Sequence, residues 1–278
     1  MSTLSLKIDH AQYILTLDRQ RRIIQDGAVL VEGGRISRVG KAAELADTRA
    51  DRVIDGRYLV VTPGFVNGHM HISYAHPVRG IFPDEQASPL LHVFNLQSAM
   101  TEEEEYHATL LGLVELVRNG TVCFLDPGST KFPDACLQAY EDAGIRVVLG
   151  EAVTDQDAPW KLPRYPTSEA VARTASFIGK WNGRLDGRIR AWAMPFSYET
   201  CSPGLLQSLK RVVDEHRTGL TLHHNSGTKA RQDSVARCGY SPTAYLESIG
   251  VMGPNVLLAH CLGLDEAEID AVARTGTA

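Results

Sequence analysis

Residues 1–62 carry apolar positions in short runs. Ala28 to Glu32 and Arg35 to Val39 flank Gly33-Gly34, and a glycine pair between two such runs predicts a tight hairpin. Val53-Ile54 and Tyr58 to Val61 continue the pattern. A segment of this size is too small to be a complete sandwich. It reads as the N-terminal part of a composite β-domain that needs partner strands from elsewhere.

After Pro63-Gly64 the pattern changes. Short unbroken apolar runs alternate with helical periodicity over residues 63–278. The runs are Phe65 to His71, Thr121 to Asp126, Ile145 to Val153, Ile189 to Phe196, Leu220 to Asn225 and Val256 to Cys261. Strands that are apolar on both faces and joined by helices predict a parallel sheet or barrel. The helices between them are well punctuated. Thr101 with Glu104 forms a capping box and Gly120 closes that helix. Glu102 to Glu105 then reads as an acidic first turn at the positive end of a helix dipole, not as an acidic site. Ser202-Pro203, Ser241-Pro242 and Asp265 with Glu268 mark three further helix starts.

Composition narrows the class. The 278 residues are 44% hydrophobic and carry a formal net charge of -5 with both signs mixed, which suits a soluble globular chain. There is no basic stripe for nucleic acid and no polybasic amphipathic or membrane-length apolar run, so neither nucleic acid nor membrane is an expected partner. The N-terminus lacks the apolar core of a secretory signal. The five cysteines are odd in number and include no CxxC, which points to free thiols and a cytoplasmic location. No GxGxxG or GxxxxGK[ST] follows a strand, which disfavours a nucleotide-binding α/β protein.

The chemistry lies in histidines. In Pro63-Gly64-Phe65-Val66-Asn67-Gly68-His69-Met70-His71, residues i and i+2 of a strand share a face, so His69 and His71 present two imidazoles together. Leu220 to Asn225 and Val256 to Cys261 also end on histidine: His223 or His224 in the first, His260 in the second. Three strand ends with histidine are hard to explain as packing, because a buried imidazole needs a partner each time. Neutral imidazoles suit zinc, iron or a similar divalent ion. His107 and His216 sit in helical patterns, and His10 and His92 have no motif around them. His76, five residues beyond His71, can reach a pocket.

With these motifs the chain resembles the amidohydrolase superfamily. The branch is that of chlorohydrolases and aminohydrolases of triazines, methylthioadenosine/S-adenosylhomocysteine deaminases and guanine deaminases. The likeness runs through PGFVNGHMH, VRNGTVCFLDPG, ETCSPGLL and VARCGYSPTAYLESIGVMGPNVLLAHC. It implies an α/β fold: a (β/α)8 TIM-type barrel, incomplete here at about six strands, with a small N-terminal β-domain. It implies one divalent metal ion, zinc first and iron as the alternative, held by His69, His71 and His223. Asn225 is the occupant under a shifted alignment, but an amide is a poor ligand for such an ion. No lysine ends the strand after Ile189, which argues against a second, bridged ion. His260 matches the histidine that meets substrate or water. Ser226 stands where the family has a catalytic glutamate, and serine cannot shuttle a proton near neutral pH. Phe196 replaces a substrate-binding histidine, implying a more apolar pocket, with His76 as a further candidate substrate contact.

The activity implied is metal-assisted hydrolysis of a carbon–nitrogen bond in a small heterocycle or amide, of deaminase or dechlorinase type. Ser226 tilts the reading towards leaving groups that need little protonation. The chain stops midway through the family's length, before the strand that carries its conserved aspartate. A truncated gene product, a cut piece or half of a split enzyme is therefore expected, and an inactive fragment or pseudoenzyme is the alternative. A full-length homo-oligomer is the expected assembly, whereas an incomplete barrel alone should associate or be poorly soluble.

Overall fold

The computed structural model describes residues 4–75, 81, 89–128, 131–157 and 162–278. His76 lies outside them. The chain divides into two compact units, Met1–Gly64 and Phe65–Ala278.

The first unit is a five-stranded sheet of β1 (Leu6–Leu15), β2 (Ile23–Glu32), β3 (Arg35–Lys41), β4 (Arg52–Asp55) and β5 (Val60–Val61). Its order is β3-β2-β1-β4, with β5 also on β1; β4 and β5 run parallel to β1, and β1–β2 and β2–β3 are antiparallel. The β2–β3 turn forms at Gly33 and Gly34, with φ of +58° and +73°, a left-handed pair that glycine adopts at little cost. Alternation along β2 serves both faces: Val29 packs with Ala11, Ile14 and Ile24, while Ala28 and Leu30 pack with Ala42 and Leu45. Strand β1 is hidden in the sequence because its register slips between Ile8 and Ala11. His10 there takes φ 53° and its Nδ1 meets Asp26 Oδ1 across the ladder at 2.8 Å, so the period of two is interrupted.

The second unit alternates strand and helix. Its elements are β6 (Phe65–Asn67), α1 (Ile72–Ala75), α2 (Pro89–Ala99), α3 (Glu102–Arg118), β7 (Thr121–Asp126), α4 (Pro133–Ala143), β8 (Arg146–Leu149), β9 (Ala152–Val153), α5 (Thr167–Trp181), the turn α6 (Arg184–Gly187), β10 (Ile189–Ala191), β11 (Met194–Pro195), α7 (Pro203–Glu215), β12 (Leu220–His224), α8 (Thr228–Cys238), α9 (Pro242–Ser248), β13 (Val256–His260) and α10 (Glu266–Thr275). Every strand pairing in it is parallel. β6 lies on β7, β7 on β8, β8 on β10 and β9 on β11; Ala193 and Ser197 bridge to Leu220 and His223, and β12 lies on β13. This is the α/β order with an N-terminal sheet. Among the described residues β6 pairs with β7 and β13 with β12, so these pairings trace a parallel array and not a closed barrel.

Three helix starts behave as their sequences dictate. Thr101 Oγ1 accepts from Glu104 N at 3.2 Å while Glu104 Oε2 accepts from Thr101 N at 2.7 Å. Ser202 Oγ accepts from Leu205 N, and Asp265 Oδ1 from Glu268 N. Each cap is worth about 1 kcal/mol. The larger contribution is burial: Leu205, Leu206, Leu209 and Val213 of α7 are completely buried, at roughly 2 kcal/mol apiece. Glu102 to Glu105 form the acidic first turn of α3, and Glu105 does more than face the helix dipole. It is buried and accepts from the amides of Lys131 and Phe132, satisfying the loop that enters α4.

Three of the apolar runs are broken strands. Ile189 to Phe196 divides into β10 and β11. Ile145 to Val153 divides into β8 and β9 at Gly150, where a Cβ would stand 2.3 Å from Trp192 O. Only glycine admits that approach. The run at Phe65 stops as a strand at Asn67, so His69 and His71 follow β6 instead of lying on it. Their pairing survives because Met70 N donates to Leu125 O of β7 at 2.9 Å, which holds the extended segment beside the sheet.

Candidate metal centre

Three histidines from two distant parts of the chain converge at the C-terminal ends of the parallel strands. One ring nitrogen from each of His69, His71 and His223 lies within 4.8 Å of the others. His71 Nε2 and His223 Nε2 are 3.1 Å apart. Two imidazole nitrogens on one tetrahedral zinc, each at about 2.0 Å, stand about 3.3 Å apart. Neither ring nitrogen of His69 has a hydrogen-bond partner, although both are shielded from solvent. Orphaned buried nitrogens beside a close imidazole pair are what a site for a cation requires, and the residues present fit a divalent ion.

The tautomer of His223 is set by its neighbour. Its Nδ1 lies 2.8 Å from Phe196 O, a carbonyl that can only accept, so Nδ1 carries the proton and Nε2 is bare. His223 N also donates to Phe196 O, at 3.0 Å. The next residue, His224, is buried with its Nε2 2.9 Å from Thr243 Oγ1 of α9. Alternation along β12 thus brings the first histidine of the pair, not the second, to the cluster. Asn225, two residues past His223, lines the cavity onto which the cluster opens.

Electrostatics keep the cluster neutral. Burial, then the neighbouring imidazoles His223 and His260, lowers His69 to about 4. Burial with the other ring nitrogens puts His71 well below its ordinary value. Burial takes His223 to about 4 against the opposing pull of the Phe196 carbonyl. Neutral imidazole is the ligating form.

His260 ends β13 in a left-handed conformation, φ 80°, with its ring centroid 5.0 Å from that of His69 and 5.6 Å from that of His223. Desolvation lowers its pKa also. Backbone bonds fasten the two strand ends together: Cys261 N donates to His224 O and Leu262 N to Asn225 O.

The cluster opens into a cavity of about 260 Å³. Phe94 and Phe196, with centroids 6.2 Å apart, supply apolar wall. Ser226 lines it as an exposed residue, so the serine in the glutamate's place does reach the cavity. Sequence reasoning missed Phe94 and Glu199. Glu199 is the one carboxylate lining this cavity among the described residues. It sits in a turn that Ser197 and Thr200 brace by mutual hydrogen bonds and that Asp155 ties to Ser202. Glu199 opens the ETCSPGLL stretch, but that pattern gives it no role, because only the return of β11 past β12 brings the turn to the histidines.

A parallel α/β array with a histidine triad at its strand ends is a frame that can hold a divalent metal ion. The chain belongs to the amidohydrolase family, whose model matches residues 60–277. It is 34% identical over 267 residues to a 5-methylthioadenosine/S-adenosylhomocysteine deaminase of Syntrophobacter fumaroxidans and 30% identical over 267 residues to a 5'-deoxyadenosine deaminase of Methanosarcina barkeri. Each alignment covers 95% of this chain and 59% of the relative, so the chain spans about three-fifths of their length. Among solved structures, an adenosine deaminase from Xanthomonas campestris with bound zinc superposes with a TM-score of 0.83 at 25% identity, covering 98% of this chain and 61% of that one. The zinc complex of atrazine chlorohydrolase from Arthrobacter aurescens TC1 shares the fold, with a TM-score of 0.85 at 23% identity over 98% of this chain and 64% of that one. No described helix is long and apolar enough to cross a membrane.

Proposed function

We propose that this chain forms the metal-binding part of a hydrolase acting on a carbon–nitrogen bond of a small heterocycle, with His69, His71 and His223 holding one divalent ion, zinc in the first place. The observation that carries the reading is the 3.1 Å approach of His71 Nε2 and His223 Nε2 beside the unpartnered nitrogens of His69. Such an ion, when bound, supplies a water that ionises near neutral pH. Its deaminase relatives, and the zinc in the Xanthomonas campestris adenosine deaminase, support both the ion and the bond class.

The chain's own groups divide the remaining work. His260 is neutral near pH 7 and faces the cluster, so its ring N–H can steady charge that develops on the attacked substrate. Phe94 and Phe196 accept the faces of a planar ring. Ser226 reaches the cavity but cannot exchange a proton near pH 7, and Glu199 brings a carboxylate to the same cavity. A carboxylate in the cavity serves an amine leaving group, which needs protonation, so the tilt towards halide or thiolate is dropped.

A second reading, a metal-binding chain without turnover, is favoured by serine at position 226. One experiment separates the two. The chain is titrated with zinc and assayed for ammonia release from 5'-methylthioadenosine and 5'-deoxyadenosine and for chloride release from atrazine. One zinc per chain with turnover supports the hydrolase. One zinc without turnover leaves the second reading, and failure to take zinc refutes both.

A further inference from the structure

Asn225 lines the cavity with an uncommitted carboxamide. It follows the last residue of β12 and turns the chain with φ 43°, a left-handed conformation that asparagine tolerates better than most residues. It is 1% exposed, and neither its Oδ1 nor its Nδ2 has a hydrogen-bond partner. A buried carboxamide normally satisfies both groups, so one left with neither calls for a ligand. Its backbone is fixed, because its carbonyl accepts from Leu262 N at 2.9 Å in the latch between the strand ends. The residue is therefore held rigidly beside His223 while its side chain is left uncommitted.

We propose that Asn225 selects the substrate by pairing with an edge that carries a hydrogen-bond donor and an acceptor on either side of one carbon. The carboxamide offers one acceptor and one donor side by side, in one plane. Its complement is the N–C–N edge of an aminated heterocycle, where an exocyclic amine stands next to a ring nitrogen. The apolar wall of Phe94 and Phe196 suits the faces of such a ring. A ring without that edge leaves the amide unpaired when it fills the cavity, and this is the kind of mismatch that discriminates strongly. Three imidazoles already converge, and an amide is a weak ligand beside them, so Asn225 faces substrate and not the ion. The inference rests on the function proposed above and adds the feature of the substrate that is read.

The test uses the zinc-loaded chain and two probes of similar shape, 2-aminopyrimidine, which has the edge, and aniline, which lacks its acceptor. Dissociation constants come from calorimetry on the parent, Asn225→Leu and Asn225→Asp, with zinc content measured in each. The parent should prefer 2-aminopyrimidine by about tenfold or more. Asn225→Leu should lose that preference while keeping its zinc, and Asn225→Asp, whose carboxylate offers acceptors but no donor for the ring nitrogen, should lose it as well at pH 8. A parent that takes no zinc removes the functional reading. A parent that takes zinc but shows no preference, or an Asn225→Leu variant that keeps it, overturns the role of Asn225 alone. Should Asn225→Leu fail to fold, Asn225→Asp carries the decision at pH 8, and a preference kept by that variant overturns the proposal.

Discussion

His223 Nδ1 stands 2.8 Å from the carbonyl oxygen of Phe196, and this bond turns the bare Nε2 of the imidazole towards His71. One residue thus sets a ligand's tautomer through its backbone and walls the cavity through its ring. His224, one position on, faces Thr243 instead. His223→Ala should therefore weaken zinc binding by at least about 100-fold with little change in metal-free stability. His224→Ala should do the reverse, costing about 1–3 kcal/mol by leaving Thr243 without its buried partner while zinc affinity holds. Zinc titration and urea unfolding of both variants check the pair; equal zinc loss in both contradicts the face assignment.

Glu199→Gln should lower turnover by about 10²–10⁴-fold while zinc stoichiometry stays at the parent's value. Ser226→Glu in the Glu199→Gln background should restore part of the rate, because a carboxylate then returns to the cavity from the other side. Steady-state kinetics of the single and double variants decide it. A Glu199→Gln variant as active as the parent removes Glu199 from proton transfer.

The buried histidines make the metal-free chain acid-sensitive. His69, His223 and His224 are lowered from 6.5 to about 4, in each case chiefly by burial, and burial also holds His71 well below its ordinary value. Between those values the unfolded chain binds protons that the folded chain does not. Stability is thus at its full value above about pH 6.5 and falls as pH drops towards 4. Urea midpoints at pH 8, 6 and 4.5 should decrease in that order. Saturating zinc at about 100 times its dissociation constant should add about 2.7 kcal/mol at pH 8, and less at pH 5 as protons compete for the ligands.

Asp126 has the opposite sign. Burial raises its pKa from 3.8 to about 7, although Tyr140 OH at 2.7 Å and Gly128 N favour the charged form. From pH 3.8 to about 7 the folded chain holds a proton that the unfolded chain releases, so this contribution to stability is lost as pH rises through the window. Asp126→Asn keeps an acceptor for Tyr140 and removes the charge. It should gain stability relative to the parent at pH 8 more than at pH 4, and thermal unfolding at the two pH values measures the difference. An equal effect at both removes the buried-acid account.

Apolar residues remain uncovered on β6, β7 and α3: Phe65 is 62% exposed and Val66 71%, and Val122, Leu111, Val114 and Val117 are also exposed. The chain should therefore self-associate as its concentration rises. Sedimentation velocity across a concentration series should show the shift, and Val66→Lys with Val114→Lys should reduce it. A chain that stays monomeric throughout contradicts the expectation.

Much of this protein was legible from residue order alone. The six apolar runs all contribute parallel strands, and the Thr101, Ser202, Ser241 and Asp265 caps hold, because burial on both faces and helix capping are local demands on sequence. His69, His71, His223 and His260 stand out because each closes or follows an apolar run. Strand β1 was not legible, since its bulge at His10 breaks the period by which strands are recognised. The strand breaks at Gly150 and after Asn67 were missed for a similar reason, as they depend on what approaches from a neighbouring strand. The family resemblance already pointed to His223, and the structure turns His224 to Thr243 instead; tertiary structure alone decided that Phe94 and Glu199 line the cavity and that Asn225 is buried without a partner. Local order dictates which residues can form a strand, cap a helix or bind a metal. Which of them meet depends on register and crossover between segments as far apart as His71 and His223, and no local pattern encodes that.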